Sequence, residues 1–245
     1  MPLPTPTTPR ILLIGATHGD EPIGVRALDD LARTESGFDR VIGNPPAFAR
    51  KERGFEGDLN RSAPGNPASP RYAERRAAEL LDLARGYDWC VDLHGTTAAC
   101  GVFVILTRLT VDNLRLAARL DIPRIVYWPA ISSSLAGPLS EYFPCGLEIE
   151  CGPKDMPLVQ RRLTDVLRRF VRERQIVWPD AYLRARLMER ELYEVVGSVR
   201  DPRPDFEDFS PADIGGETLS PLLVGQYDDV ACYAMRRRTL QDWWP

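Results

Sequence analysis

The sequence predicts an α/β protein: a mixed, mostly parallel sheet with helices on both faces, followed by a small β-rich C-terminal subdomain. Three observations predict it. Short, continuously apolar runs such as "RILLIGA" (10–16) alternate with stretches of helical period such as "PRYAERRAAELLDLAR" (70–85), the pattern of buried parallel strands linked by helices. Several of these runs end in Gly-marked turns, and functional groups of open α/β sheets belong at the carboxyl ends of strands. From about Gln175 the texture changes to shorter β-like runs broken by the Pro/Asp-rich "RDPRPDFEDFSPADIGGE". The expected domains are therefore 1–175 and 176–245.

In chain order, residues 10–16 read as the first strand. "PIGVRALDDLAR" (22–33) follows as a helix, with Pro22 at a first helical position and Val25, Leu28 and Leu31 along one face. "DRVIGN" (39–44) is a second strand. Residues 45–70, rich in Pro, Gly, Asn and Arg, fit neither period and predict a long loop; loops of that length tend to be functional or disordered. After the helix over 70–85 come strands "YDWCVDLHG" (87–95) and "GVFVILTR" (101–108), the helix "VDNLRLAARL" (111–120), and strands "RIVYWPA" (124–130) and "GLEIECGP" (146–153). The helix "MPLVQRRLTDVLRRFVRERQ" (156–175) is amphipathic, with Leu158, Leu163, Val166, Leu167 and Phe170 on its inner side. "LYEVVGSVR" and "LLVGQYDDVACYAM" supply C-terminal β-like runs, and the proline-rich first nine residues predict a disordered tail.

Composition excludes some functions. A net charge of −4 and a pI near 5.4 leave no basic face for nucleic acid. No apolar stretch approaches the length of a membrane span, and "MPLPTPTTPR" lacks the basic start and apolar region of a secretory signal, so a cytoplasmic location is expected. The five cysteines are odd in number, lack CxxC spacing and sit mostly in hydrophobic runs, as buried reduced thiols do.

Five short stretches carry complementary chemistry: His18 and Glu21 in "THGDE", Arg53 in "KERGF", Asn60 and Arg61 in "DLNR", His94 in "DLHG", and Glu150 in "IECGP". Both histidines of the chain end strands and both precede Gly. Two His and one Glu are the ligand types of an open zinc site whose fourth position holds water. His18 and Glu21, three apart, can share a face, and His94 completes the set from a neighbouring strand. Glu150 suits a general base, Arg53 an oxyanion partner, and Asn60 with Arg61 a carboxylate clamp. Simpler readings stand beside these. An HxxE pair arises by chance, Arg53 lies in the charged run "ARKER", Asp58 can cap a turn, Glu148 shares a strand face with Glu150, and Asp92 can merely orient His94.

Taken together, the stretches resemble the succinylglutamate desuccinylase and aspartoacylase family, itself related to zinc carboxypeptidases. "GATHGDE" is similar to the family's GTHGNE block, "GNPPAF" to NPxA, "DLHGTT" to DLHNTT and "GLEIECGP" to the strand ending in ExGP, while "DLNR" matches outright. The matches run in the family's order from residue 11 to about 153. The resemblance implies a carboxypeptidase-like domain followed by a small β domain, and one zinc ion per chain on His18, Glu21 and His94. It also implies Glu150 as catalytic base, Arg53 near the scissile carbonyl, and Asn60 and Arg61 on a substrate carboxylate. The implied reaction is hydrolysis of a small N-acyl amino acid; a homo-oligomer is compatible with it. A carboxypeptidase-like peptidase and an inactive zinc-containing binding protein are the alternatives.

The chain departs from the family pattern at three places. Ser140 stands where aspartoacylases carry an arginine for the substrate's side-chain carboxylate, a contact worth roughly 1.5–3 kcal/mol, which argues against N-acetylaspartate. Gly95 replaces an asparagine. The substrate-contacting tyrosine of the C-terminal domain aligns poorly; Tyr227 is the candidate, and Tyr233 is expected in the core.

Overall fold

The computed structural model describes residues 8–130, 137–201 and 203–244. The expected disordered tail lies outside these except for Thr8 and Pro9. The strands are β1 (Ile11–Gly15), β2 (Asp39–Ile42), β3 (Trp89–Gly95), β4 (Gly101–Leu106), β5 (Arg124–Tyr127), β6 (Gly146–Gly152), β7 (Glu191–Val199), β8 (Ala212–Ile214), β9 (Glu217–Leu222) and β10 (Cys232–Arg238). The helices are α1 (Ile23–Ala32), α2 (Pro45–Arg50), α3 (Tyr72–Ala84), α4 (Val111–Arg119), α5 (Leu139–Tyr142), α6 (Pro157–Arg172) and α7 (Asp180–Met188).

One ten-stranded sheet, in the order β2-β1-β3-β6-β4-β5-β7-β10-β9-β8, runs through the described residues. Its first half is parallel apart from the β4–β6 pair, and β7 joins β5 in parallel. The last strands pair antiparallel, so the β-rich stretch beyond residue 175 continues the sheet through β7. No helix among the described residues is long and apolar enough to cross a membrane. All five cysteines are free thiols, four of them buried.

The period-2 alternation of the strands sorts their side chains onto two faces. Ile11, Leu13, Val91, Leu93, Leu147 and Ile149 pack against residues of α1, α4, α6 and α7. On the opposite face, Leu12, Ile14 and Cys90 pack against α3 and Leu139 of α5, while Phe103, Ile105 and Val126 join a separate cluster with Tyr193, Leu222 and Met235. Between these two apolar clusters the same face carries Asp92, His94, Glu148 and Glu150. Ionisable groups placed there need partners or a function.

Three local expectations are revised. The 45–70 segment is not wholly loop: it holds α2, whose start is fixed by Asn44, accepting from the Ala47 N–H, and by proline in the first turn, and then a 3-10 turn at Leu59–Arg61. Leu158 of α6 is 63% exposed, because its position in the first turn lies off the stripe formed by Leu163, Val166, Leu167 and Phe170. Residues 180–188 form α7, whose Leu183 and Leu187 enter the main core.

Candidate active site

Strand order decides which chain segments meet. β1, β3 and β6 are neighbours and parallel, so the segments leaving their carboxyl ends open on the same edge. β1 ends at Gly15, and the chain turns to present His18 and Glu21 just ahead of α1. The pair meets through this turn, closed by the Glu21 N–H donating to the His18 carbonyl at 3.2 Å, rather than on a first helical turn. Gly19 is required here, since a Cβ would lie 2.1 Å from the Ala47 carbonyl carbon.

His18, Glu21 and His94 are all buried, with potential ligand atoms within 4.8 Å of one another. Glu21 Oε1 is 2.8 Å from His18 Nδ1, and Glu21 Oε2 is 3.1 Å from His94 Nδ1 while accepting the Gly95 N–H at 3.0 Å. The outer ring nitrogens have partners of their own. His18 Nε2 lies 3.1 Å from Asp58, and His94 Nε2 lies 3.1 Å from Asp92, which also accepts the Thr17 hydroxyl. Both Nδ1 atoms are therefore turned inward by carboxylates behind the rings, the usual support of metal-ligating histidine.

The electrostatics agree with that arrangement. Burial disfavours a charged Glu21, but the two histidines outweigh it and hold its pKa well below the usual carboxylate range. Burial likewise opposes a charged His94, yet Asp92 and Glu21 push its pKa well above normal; Glu21 and Asp58 raise that of His18. Two imidazoles and a carboxylate, backed by two more carboxylates, form a donor set that fits a divalent cation of zinc's preferences. Asp92, His94 and Glu148 form an overlapping group, but Asp92 is already engaged by His94 and Thr17.

Around these residues lies an open cleft of about 630 Å³, lined by all eight residues that the sequence singles out: His18, Glu21, Arg53, Asn60, Arg61, His94, Glu150 and Tyr227. Glu150 is placed by register beside His94 on one side and Phe103 on the other. Its Oε1 is buried and has no hydrogen-bond partner among the described residues, and burial, with Glu21 and Glu148 adding repulsion, pushes its pKa up to about 8. Arg53 donates from Nε to Asp58 at 3.2 Å, and its Nη1 is 3.7 Å from Glu21.

Asn60 and Arg61 occupy the 3-10 turn capped by Asp58, which accepts the Asn60 N–H at 2.9 Å. Asp58 thus caps its own turn and also reaches His18, 40 residues away. The cap is readable in "DLNR"; the reach is not, because no spacing rule encodes it. Tyr227, on the segment after β9, is half-buried; desolvation and the charge of Glu150 raise its pKa, and it packs edge-on to Tyr233 at 6.0 Å. Gln226, which sequence reasoning missed, ties that segment to the end of β3: its Oε1 accepts the Thr97 N–H at 2.9 Å and the hydroxyls of Thr96 and Thr97. Tyr233 is buried in the core against Trp128, as expected.

Comparison with known proteins gives one answer. Residues 7–173 match the succinylglutamate desuccinylase/aspartoacylase catalytic domain. A probable aspartoacylase of Prochlorococcus marinus (strain MIT 9313) is 37% identical over 180 residues, which cover 65% of this chain and 58% of that protein. A second, from strain NATL2A, is 32% identical over 174 residues, covering 63% of this chain and 56% of its own. The chain thus spans little more than half the length of these curated relatives. Among solved structures, murine aminoacylase 3 shares the fold with a TM-score of 0.72 at 23% identity, over 96% of this chain and 97% of its own. The succinylglutamate desuccinylase of Chromobacterium violaceum does so with a TM-score of 0.65 at 16% identity, over 94% and 85%. The ordered motifs, the sheet and the matched catalytic domain place this chain in the succinylglutamate desuccinylase/aspartoacylase family.

Proposed function

We propose that this protein hydrolyses the amide bond of a small N-acyl amino acid in a zinc-dependent reaction. The observation that carries the reading is the unpartnered, buried Oε1 of Glu150, which shares a cleft with the His18/Glu21/His94 group and with Arg53 and Arg61. Zinc held by His18, Glu21 and His94 would supply a Lewis acid for the acyl carbonyl and activate water.

The chain's own residues then divide the work. Glu150 removes a proton from the attacking water and delivers it to the leaving amine nitrogen; a raised carboxyl pKa strengthens it as a base and lets it carry the proton between the two steps. Arg53, held by Asp58 beside Glu21, faces the negative charge that develops on the acyl oxygen. Arg61 presents its guanidinium to the substrate carboxylate from the same 3-10 turn as Asn60, and Tyr227 closes the cleft from the C-terminal segment.

The test is a panel of N-acyl amino acids offered to the zinc-loaded protein, with release of free amine as the readout. Turnover that disappears in Glu150→Gln while zinc stays bound supports the reading. Absence of amine release across the panel, with zinc bound, refutes it.

A further inference from the structure

The mechanism leaves a second carboxylate of the cleft unused. Glu148 precedes Glu150 by two residues on β6 and lies on the same sheet face, flanked by Asp92 on β3 and Ile105 on β4, whereas Glu150 is flanked by His94 and Phe103. It therefore stands one pair deeper in the sheet, roughly 7 Å along the strand from Glu150. Both carboxylates line the same cleft.

The hydrogen-bond donors to Glu148 are neutral, and its nearest ionisable neighbours are His94 and Asp92, with ligand atoms within 4.8 Å. Ser140 Oγ donates to Oε1 at 2.9 Å and Asn60 Nδ2 donates to the same oxygen at 3.3 Å. The Asn60 amide is held in this orientation. The Asn60 carbonyl oxygen accepts the Leu139 N–H at 3.0 Å, which turns its NH2 group toward Glu148, and Ser140 Oγ has Thr107 as its other neighbour at 3.0 Å. Among the described residues no arginine or lysine pairs with Glu148, and none donates to its Oε2. The two arginines of the cleft are directed elsewhere, Arg53 at Glu21 and Asp58, and Arg61 Nη1 at the Asn60 carbonyl. Glu148 is only 6% exposed, yet it lines the cleft.

A buried carboxylate that has neutral hydrogen-bond donors and no arginine or lysine partner, with His94 already engaged by Glu21 and Asp92, favours a cationic donor from the ligand and disfavours a second carboxylate. The cleft lining also includes Ile105, the cross-strand neighbour of Glu148, with Trp128 and Leu223, apolar surface that suits an aliphatic stem. We propose that Glu148 is the specificity-determining residue of this cleft: it selects N-acyl amino acids whose side chain is an aliphatic stem ending in a cationic group, and it turns away acidic side chains. The inference rests on the N-acyl amino acid reading above and specifies its substrate class.

Binding separates the two ideas. Zinc-loaded Glu150→Gln protein is titrated calorimetrically with Nα-acetylornithine, Nα-acetylnorvaline and Nα-acetylglutamate, and the series is repeated with Glu148→Gln added. The ornithine derivative should bind about 10- to 100-fold tighter than the norvaline derivative, with the glutamate derivative weakest, and Glu148→Gln should remove most of that preference. Equal or tighter binding of the glutamate derivative overturns the proposal, as does a preference that survives Glu148→Gln. A second zinc equivalent lost with Glu148→Gln overturns it too, by assigning the carboxylate to metal. The unsubstituted protein is assayed for amine release in parallel. Ordered binding without release defeats the hydrolase reading and leaves the selection standing; release without a charge preference does the opposite.

Discussion

Asp58 lies 3.1 Å from Nε2 of His18, on the ring nitrogen remote from Glu21, so one carboxylate holds the imidazole while another shares its inner edge. Asp92 repeats the relationship at His94. Removing a supporting carboxylate behind a ligating histidine costs about 10- to 100-fold in metal affinity. Asp58→Asn and Asp92→Asn should weaken zinc binding by that factor, and His18→Ala or His94→Ala should abolish it, measured by competition with a chromophoric chelator. Full zinc occupancy in both alanine variants would refute the ligand assignment.

Zinc uptake should also depend on pH. Burial opposes protonation of both rings, but their carboxylate neighbours prevail and raise both pKa values above the ordinary histidine range. A protonated ring cannot ligate, so affinity should fall as pH drops and recover as pH rises through the raised values. Calorimetry in buffers of different ionisation enthalpy should register proton release on zinc binding near neutral pH; binding with no proton release would contradict this.

Glu150→Gln keeps the size of the side chain but cannot relay a proton. Turnover should fall by about 10²- to 10⁴-fold with zinc content unchanged. Activity close to the parent protein would move the role of base to Glu148, two residues earlier on the same face.

Arg61→Ala should raise KM about 10- to 100-fold for substrates bearing a free carboxylate and change it little for the corresponding primary amides, since the loss is that of a charge-assisted contact. An equal effect on both substrate types would place the carboxylate elsewhere in the cleft.

Gly95 follows His94 at the end of β3, and a Cβ there would lie 2.7 Å from Ile23 Cγ2 and 2.9 Å from Lys154 Cβ. Gly95→Ala should destabilise the fold by about 1–3 kcal/mol through overpacking, read from urea unfolding. It should also perturb zinc affinity, because the Gly95 N–H donates to Glu21. Gly197 on β7 has open space around the same position and serves as the comparison. A Gly95→Ala variant no less stable than Gly197→Ala would show that the crowding is relieved freely.

What the sequence determined by itself is local and compositional: the apolar runs that became β1 and β3 to β6, the periods of α1, α3, α4 and α6, and the residue types that line the cleft. These are legible because burial on a strand or helix repeats at a short, fixed period. Only the tertiary structure decided the rest. The order β1-β3-β6 brings residues 18, 94 and 150 together, Asp58 crosses to His18, β7 carries the C-terminal strands onto the same sheet, and Ser140 and Asn60 meet at Glu148. Such contacts depend on which faces bury against one another across long sequence separations, and no spacing along the chain records that choice.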